Sequence, residues 1–369
     1  MKEDWVYKKL GEITTQISDG SHNPPKGIES SNYPMLSSKN IFFDKFDYDS
    51  PRYLSKEDFE TENKRTNISD GDVLLTIVGT VGRTCCVQTP FTPFTLQRSV
   101  AVLKPKKDIV KARFLMYFLH SLSDFWEIEA KGVAQKGVYL KQVGKIPIPI
   151  PSLSEQQHIV EELDLLSSII EKKKAQLNEL DNLEQSLFYE MFGDIENNTK
   201  SFETYKLGEV CNMKAGKAIK ADELHDESYN LYPCYGGNGI RGYIDRFSHS
   251  GDFPIIGRQG ALCGNVNFAM GDFYATEHAV VVTPIIDLNT LWLYYALIAM
   301  RLGQYAHGVA QPGLSVKDLN PLSIPIPQLS LQQQFAEKIK AIDNQKKLIK
   351  QSIKEVETLF NSRMDYYFN

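Results

Sequence analysis

The sequence is short of the features that mark several large classes of protein. Its 369 residues include five cysteines and seven histidines, with neither a C-x-x-C pair nor a histidine pair at metal-ligand spacing. We therefore predict no metal site, and we expect the cysteines to be reduced and mostly buried. No apolar run approaches the roughly 18 residues that a membrane span requires, so we expect a cytoplasmic protein with no membrane partner.

The chain also lacks the excess of basic residues that many nucleic-acid-binding domains carry. It holds 41 Lys and Arg against 46 Asp and Glu, a formal net charge of −5. Most of this acidity lies between residues 152 and 195, where three basic residues accompany ten acidic ones. The rest is close to neutral, so charge alone neither supports nor excludes a DNA partner.

Catalytic motifs are equally scarce. Asn23-Pro24-Pro25 begins like the catalytic loop of amino-methyltransferases, but Lys26 stands where that loop needs an aromatic residue to stack on the flipped base. The glycine-rich segment YGGNGIRGY at 235–243 lacks the Lys-Ser or Lys-Thr of a nucleotide-binding loop. We predict no catalytic residues and interpret the second segment as a tight turn.

What the sequence does contain is an internal repeat. Ile148–Gln157 and Ile324–Gln333, 176 residues apart, agree at eight of ten positions. Two further pairs of segments repeat, GVAQKG at 132–137 with GVAQPG at 308–313, and YKKLGEI at 7–13 with TYKLGEV at 204–210. The offset is 176 for the closing motifs and 197 for the opening ones, so the first copy has 21 additional residues between shared ends.

Each copy predicts a mixed α/β domain, and the fold class expected is α+β. Short apolar runs bounded by turn residues predict strands, whereas longer apolar stretches predict helices. The strand candidates are DVLLTIV at 72–78, SVAVL at 99–103 and AVVVT at 279–283, and the helix candidates are KARFLMYFLHSL at 111–122 and LWLYYALIAM at 291–300.

A long helix is predicted after each proline-rich segment. Alternating Ile-Pro pairs favour extended backbone, and Ser154 or Ser330 suits the N-cap of the helix that follows. Apolar residues then recur at steps of four and three, as in a heptad seam. The seam runs through Ile159, Leu163, Leu166, Ile170, Leu177, Leu180, Leu187 and Met191 in the first helix, and through Phe335, Ile339, Ile342, Ile349, Ile353, Val356 and Phe360 in the second.

Both helices exceed typical globular helices in length, and packing against a domain core is the alternative for either one alone. We expect them to pair with each other in antiparallel order, which gives a pseudo-two-fold internal repeat. The organisation expected is one mixed domain at residues 1–151, a first long helix at 152–194, a second mixed domain at 195–328 and a second long helix at 329–369.

The segments IPIPIPSLSEQQHIVEELD and IPIPQLSLQQQFAEKI, each after a GVAQ segment and each ending a domain that opens with LGE, resemble the specificity subunit of type I restriction-modification systems. Supporting phrases are DGSHNPP at 19–25, GTVGR at 79–83 and YGGNGIRGY at 235–243. The resemblance spans nearly the whole chain and implies a non-enzymatic DNA reader. It implies that 1–151 and 195–328 are target-recognition domains, each reading one half of a bipartite, asymmetric site in double-stranded DNA.

The resemblance also implies partners. The long helices are expected to set the gap between the half-sites and to dock two methyltransferase subunits, which bind S-adenosylmethionine. Restriction/translocase subunits join them in the full complex, and no cofactor is expected in this chain. A two-domain helical scaffold for protein partners, without DNA reading, is the alternative, and salt-dependent, sequence-biased duplex binding separates the two.

Candidate DNA-binding residues are loop residues whose side chains suit base edges or phosphates. In the first domain they are Ser21, His22, Asn23, Lys26, Lys39, Asn40, Thr80, Arg83, Gln97, Arg98, Lys136 and Tyr139. In the second they are Asn238, Arg241, Arg258, Gln259, Glu277, His278, Gln311 and Ser315. A structural role in a turn is the alternative for each. His278 in TEHAVVV aligns with Arg98 in LQRSVAV, both just before a predicted strand.

Candidate partner-binding residues lie at the ends of the long helices. They are Gln156, Gln157, Gln332, Gln333, Phe188, Phe192, Tyr366, Tyr367 and Phe368. The glutamines begin the helices, where their side chains can bond either free backbone groups or a second protein. The aromatic residues exceed what a two-helix seam needs, which favours a docking site, and packing against the recognition domains is the alternative.

Overall fold

The chain divides into two compact units, and each long helix contributes to both. A computed structural model describes residues 5–123, 125–126, 128, 137–228, 230–308 and 312–368. Unit 1 comprises Met1–Lys173 and Ser352–Asn369, and unit 2 comprises Lys174–Gln351.

Unit 1 is a mixed α/β body. Its strands are β1 (Val6–Lys9), β2 (Thr14–Asp19), β3 (Pro34–Leu36), β4 (Ile41–Phe42), β5 (Lys45–Phe46), β6 (Arg52–Tyr53), β7 (Val73–Thr76), β8 (Thr84–Cys86), β9 (Thr95–Leu96), β10 (Val100–Pro105) and β11 (Pro147–Ile150). Its helices are α1 (Leu10–Ile13), α2 (Lys56–Thr66), α3 (Ala112–Ser121), α4 (Leu140–Val143) and the first part of α5 (Leu153–Phe192).

Unit 2 has the same mixed character. Its strands are β12 (Glu203–Lys206), β13 (Cys211–Ala215), β14 (Tyr232–Gly236), β15 (Gly239–Ile244), β16 (His249–Ser250), β17 (Phe253–Gly257), β18 (Val266–Ala269), β19 (Asp272–Ala275), β20 (Ala279–Pro284) and β21 (Ser323–Ile326). Its helices are α6 (Leu207–Val210), α7 (Thr290–Ala299), α8 (Val316–Leu319) and the first part of α9 (Leu329–Phe368), with 3₁₀ turns at Ala221–Glu223 and Leu302–Tyr305.

Both units repeat one sheet plan, and this repetition explains the duplicated sequence motifs. An antiparallel sheet has the order β2-β10-β7-β8 in unit 1 and β13-β20-β17-β18 in unit 2. The opening and closing motifs of each copy pair as two antiparallel strands, β1 with β11 and β12 with β21. Val6 opposes Ile150 and Glu203 opposes Ile326, so the two copies share one register.

The remaining sheets differ between the units. Unit 1 has a three-stranded sheet β6-β3-β9, whereas unit 2 has a four-stranded sheet β15-β14-β19-β16. In both, one strand pairs in parallel with a later one, β3 with β9 and β14 with β19. The shared plan therefore carries different inserted segments, as the unequal lengths of the two copies predict.

Apolar residues of the shared sheet and of its covering helix form the core of each unit. The first four residues of β10 and of β20 are buried, and so are six consecutive residues of α3, Phe114 to Leu119. α3 packs on β7 and β8, and α7 packs on β17 and β18. Strands and helices form at all five predicted segments, which confirms those predictions.

The long helices run antiparallel, as the heptad pattern predicts. Each has 40 residues, or about 60 Å at 1.5 Å per residue. In unit 1 the Arg363 guanidinium donates to Glu162 at 2.8 Å. In unit 2 Lys346 Nζ lies 2.6 Å from both Asp181 and Glu184. Residue numbers thus fall along one helix as they rise along the other.

The predicted seam residues are buried or half-buried along both helices, but the predicted N-caps are wrong. Ser154 and Ser330 lie inside the helices. The first helix is capped by Ser152, whose hydroxyl accepts from the amide of Glu155 at 3.2 Å. In the second helix the carbonyl of Gln328 accepts from Gln332 N at 3.2 Å. Extended backbone after the prolines thus ends two residues earlier than expected.

The cysteine prediction is confirmed. All five cysteines are buried and free of disulfides. Burial raises the pKa of Cys86 and of Cys211 to about 12, so these thiols stay protonated at neutral pH and are not nucleophiles. Among the described residues, none of the helices combines the length and the apolar character that crossing a lipid bilayer demands.

Candidate nucleic-acid interface

Unit 1 contains a cleft of about 880 Å³ at the end of its main sheet where β2 and β7 finish and β10 begins. Three of the predicted DNA-binding residues, His22, Arg98 and Tyr139, line it. The other lining residues are Asp19, Arg65, Ile77, Val78, Gly137, Val138, Leu140 and Lys141. Loops that lie far apart in sequence therefore meet here, and the cleft combines cationic side chains with an apolar floor.

Asp19 organises the polar side of this first cleft. Its residue is only 6% exposed, and a carboxylate at that depth needs hydrogen-bond donors. His22 Nε2 lies 2.7 Å from one carboxylate oxygen, and the Arg65 guanidinium pairs with the other. Arg65 Nε also donates to the Asp19 carbonyl at 2.9 Å. Asp19 thus holds two cationic or polar groups at the cleft, each about half-exposed.

Sequence reasoning missed Asp19, Arg65 and Lys141. Arg65 lies in the last turn of α2, a helix whose pattern shows no special feature, and it reaches the cleft only because α2 packs against β2. Together with Arg98 and Lys141 it gives the cleft three permanent cations against one buried carboxylate. This local excess of positive charge suits a phosphate backbone although the chain as a whole is acidic.

The backbone beside the first cleft leaves no room for side-chain variation at one position. A Cβ on Gly20 would lie 2.0 Å from the carbonyl oxygen of Leu96. Ser21, next in sequence, is 7% exposed and forms a β-bridge with Gln97. Ser21 therefore joins two loops and exposes little surface to a ligand, whereas Gln97 stays half-buried beside it.

Several other predicted residues of unit 1 lie outside this cleft, and one prediction fails. Asn40 is only 4% exposed, and its amide donates to Asp47 and to the Asp49 carbonyl, so it holds a turn rather than meeting DNA. Arg83 donates to the Ile41 carbonyl at 3.3 Å. The exposed predicted residues are Asn23, Lys26, Lys39 and Thr80, and Lys136 lies outside the described residues.

The Asn23-Pro24-Pro25 segment is a loop. The Arg52 guanidinium donates to the Pro24 carbonyl at 3.3 Å and to the Pro25 carbonyl at 2.8 Å. These two bonds fix the path of the loop and leave the side chains of Asn23 and Lys26 exposed.

Unit 2 contains a smaller cleft of about 450 Å³. Four predicted DNA-binding residues line it, Asn238, Arg241, Gln259 and His278, with Gly237, Gly239, Ile240 and Leu262. The predicted tight turn is confirmed, because β14 and β15 form a hairpin in which Gly236 opposes Gly239 and only two residues connect them. Asn238 and Arg241 are both exposed on this hairpin.

Polar atoms without partners gather around the second cleft. Arg258 Nε, Asn267 Nδ2, Glu277 Oε2 and His278 Nδ1 are buried and have no hydrogen-bond partner among the described residues. Glu277 Oε1 does pair with His278 Nε2 at 3.2 Å. Because an unpaired buried polar group costs about 1–3 kcal/mol, such a concentration indicates groups that a ligand or water completes. Ser315 is half-buried at the start of α8, and Gln311 lies outside the described residues.

Equivalent backbone hydrogen bonds align the segments beside the two clefts. In unit 1, Gln97 N donates to Leu36 O at 2.8 Å, and in unit 2 Thr276 N donates to Tyr235 O at 2.9 Å. Likewise Ile77 N donates to Ser99 O at 2.9 Å in unit 1, and Arg258 N donates to His278 O at 3.1 Å in unit 2. Arg98 therefore corresponds to Glu277, and Ser99 corresponds to His278. The predicted alignment of His278 with Arg98 is wrong by one residue, because both neighbouring strands are hydrophobic and admit either register by sequence.

The glutamines at the helix starts have two different environments. Gln156 is fully buried and Gln332 is 1% exposed. Gln156 Oε1 accepts from Lys111 N at 2.8 Å, and Gln332 Oε1 accepts from Asn289 N at 2.9 Å, so each caps the helix that covers its sheet. The prediction that these two bind a partner is therefore wrong, whereas Gln157 is half-buried and Gln333 is exposed.

Most of the aromatic residues at the helix ends also serve the core. Phe188 and Phe192 are 5% and 1% exposed, and their rings lie 5.5 Å and 5.3 Å from that of Phe335. Tyr367 is 6% exposed and bonds Glu162, and Phe368 packs 5.4 Å from Phe114. Contacts within the units thus account for these four, those of Tyr367 being to the long helices themselves, and the docking prediction fails for them. Tyr366 is 61% exposed.

Comparison with known proteins identifies the family. Residues 2–182 and 199–358 each match the type I restriction modification DNA specificity domain. The chain is 34% identical over 284 residues to the type I restriction enzyme EcoprrI specificity subunit of Escherichia coli, covering 71% of this chain and 69% of that protein. The chain therefore belongs to the type I restriction-modification specificity family.

Solved structures agree in fold. The S subunit of a type I restriction-modification system from M. genitalium superposes with a TM-score of 0.64 at 16% identity, covering 98% of this chain and 95% of that one. A chain from a study of complex assembly and conformational transition in the type I system superposes with a TM-score of 0.58 at 18% identity, covering 100% and 98%. The resemblance seen in the sequence is thus confirmed.

Proposed function

We propose that this chain reads a bipartite DNA sequence for a type I restriction-modification complex and carries no catalytic residues of its own. The supporting observation is that one backbone plan occurs twice with different polar side chains around equivalent clefts. Two unlike reading surfaces on one repeated plan suit two unlike half-sites. We take residues 1–151 and 195–328 as the recognition domains and 152–194 and 329–369 as the spacer helices.

The cleft residues are the proposed DNA contacts. In unit 1 these are His22, Arg65, Arg98, Tyr139 and Lys141, and in unit 2 they are Asn238, Arg241, Gln259 and His278. We add Arg258 and Glu277, which precede Gln259 and His278 in the chain and carry buried polar atoms without partners among the described residues. Exposed Asn23, Lys26, Lys39 and Thr80 extend the surface of unit 1. Arginines suit guanine or phosphate, whereas amides suit adenine.

Two methyltransferase subunits, which supply S-adenosylmethionine, are the proposed partners of the long helices, with restriction/translocase subunits in the full complex. Apolar side chains that remain exposed on the helices offer a docking surface, since such residues in numbers mark interaction sites. They are Leu165, Leu183, Tyr189, Leu348, Leu359 and Tyr366. Because the substrate is DNA, we place the complex in the cytoplasm.

Duplex binding by the purified full chain tests this function. We expect binding that falls steeply with salt concentration and that favours particular sequences, more tightly with methyltransferase subunits present. Binding of those subunits without any duplex preference would instead favour the protein scaffold. Methyl transfer by the chain alone would overturn its non-catalytic role.

A further inference from the structure

One position of the shared backbone plan carries opposite charges in the two units. The hydrogen bonds that flank it make Arg98 in unit 1 equivalent to Glu277 in unit 2. Arg98 lines the first cleft, and Glu277 precedes His278, which lines the second. A guanidinium is only a donor and a carboxylate is only an acceptor, so one scaffold position offers complementary chemistry to its two ligands.

The surroundings of this position have changed in step with it. Ile77 and Val78 of the first cleft correspond to Arg258 and Gln259, because the strands that precede them, β7 and β17, pair equivalently with β10 and β20. Unit 2 therefore has polar residues where unit 1 has apolar ones, and one of them, Gln259, lines the second cleft. The backbone amide of Arg258 donates to the His278 carbonyl at 3.1 Å, so a cationic residue lies beside the segment that carries the anionic Glu277.

The carboxylate of Glu277 has capacity left for a ligand. Its Oε1 lies 3.2 Å from His278 Nε2, whereas the buried Oε2 has no partner among the described residues. The side chain as a whole is 40% exposed, so a ligand meets its exposed part first and reaches the buried Oε2 only after a local rearrangement of the side chain. Asn238 and Arg241 on the neighbouring hairpin line the second cleft together with His278, the residue that follows Glu277.

We propose that this shared position determines base preference in both half-sites, with Arg98 donating to a guanine edge and Glu277 accepting from a cytosine amine. The inference rests on the proposed function. Guanine presents two acceptors, N7 and O6, to the major groove. Cytosine presents the N4 amine alone, whereas adenine sets an N7 acceptor beside its amine, which repels a second carboxylate oxygen. The two half-sites therefore differ at the base read by this position.

Selection of bound duplexes from a randomised library tests the proposal. The full chain with methyltransferase subunits is compared with Glu277→Arg, Glu277→Gln and Arg98→Glu. Matched controls are Asp287→Arg and Lys107→Glu, which change the charge equally at exposed residues that line neither cleft. Thermal unfolding of every variant identifies any that fails to fold. If Glu277→Arg does not fold, the nearly isosteric Glu277→Gln variant tests the proposal for unit 2.

We expect Glu277→Gln to reduce the preference for cytosine at one position of one half-site by about 5- to 140-fold, the range that about 1–3 kcal/mol gives at 1.4 kcal/mol per factor of ten. Glu277→Arg should replace cytosine by another base there, and Arg98→Glu should change one position of the other half-site. If folded variants keep both half-site preferences, the inference is overturned while the proposed function stands. If the unaltered chain selects no sequence at all, the proposed function fails with it.

Discussion

The buried glutamine at the start of α9 allows a sharp test of how the proline-rich motif holds its domain. Gln332 Oε1 accepts from Asn289 N at 2.9 Å, and its Nε2 donates to the Pro327 carbonyl at 2.8 Å. Asn289 in turn caps α7 through bonds to Leu291 N and Trp292 N at 3.1 and 3.0 Å. One side chain thus links the proline-rich strand, the long helix and the helix that covers the sheet.

Gln332→Ala removes both bonds and leaves two backbone groups without partners. Each unsatisfied group costs about 1–3 kcal/mol, so we expect the free energy of unfolding of unit 2 to fall by about 2–6 kcal/mol. Gln333→Ala, one residue along and exposed, is the matched control and should change stability by less than about 0.5 kcal/mol. The assay is urea denaturation followed by circular dichroism, with hydrogen exchange of the Asn289 amide as a local probe.

Hydrogen exchange separates a local effect from general destabilisation. Loss of protection at Asn289 should exceed the loss in the strands of unit 1, because the broken bonds lie within unit 2. Gln156→Ala should act likewise in unit 1, since its side chain bonds Lys111 N, Ile109 O and Pro151 O. If Gln332→Ala is as stable as Gln333→Ala, the two side-chain bonds of Gln332 do not stabilise unit 2.

Three further predictions follow from the long helices. The hydrogen bond from Arg363 lowers the pKa of Glu162 below its ordinary value of 4.5 in the folded protein. In acid the unfolded state therefore binds more protons than the folded state, and the stability that this pair contributes is lost as the pH falls below 4.5. Melting temperatures across about pH 7 to pH 3 should therefore fall further for the unaltered chain than for Glu162→Gln, and parallel curves would contradict this. Phe192→Ala should lower the free energy of unfolding, measured by chemical denaturation, by about 3–5 kcal/mol. Tyr189 is 64% exposed, so Tyr189→Ala should lower it little, and equal losses would count against a role of Phe192 in the core. The third variant has seven residues inserted into each long helix, after Lys173 and after Gln351, where the units meet in sequence. The insertion adds about 10 Å, so the gap between half-sites that the chain tolerates in a binding assay should lengthen by about three base pairs. A change in the half-site sequences would contradict a spacer role.

The architecture was predictable because its signals are periodic or duplicated. The heptad seam, the proline-rich motifs and the apolar strands each predict an element directly, and every one of these elements is present. Helix starts were wrong by two residues, because Ser152 and Ser154 are equally good caps by type and only the backbone geometry selects one.

The candidate site was less predictable, because it depends on which loops meet. Arg65 reaches the first cleft through the packing of α2, and Asp19 becomes its organiser only once it is buried. Residue type alone also could not separate Gln332 from Gln333, although one is buried and the other exposed. Asn40 and Phe192 fail as interface residues for the same reason, since their chemistry suits a core or turn equally well.

We propose that two unlike domains of one chain read two unlike half-sites at a fixed gap. The decisive measurement is a map of the methylated bases left on DNA by the full chain together with methyltransferase subunits. We expect one split motif, with different sequences in its two halves, a constant gap of unspecified bases and a methylated base on each strand. Methylation of a continuous or palindromic motif, or without sequence preference, would contradict it.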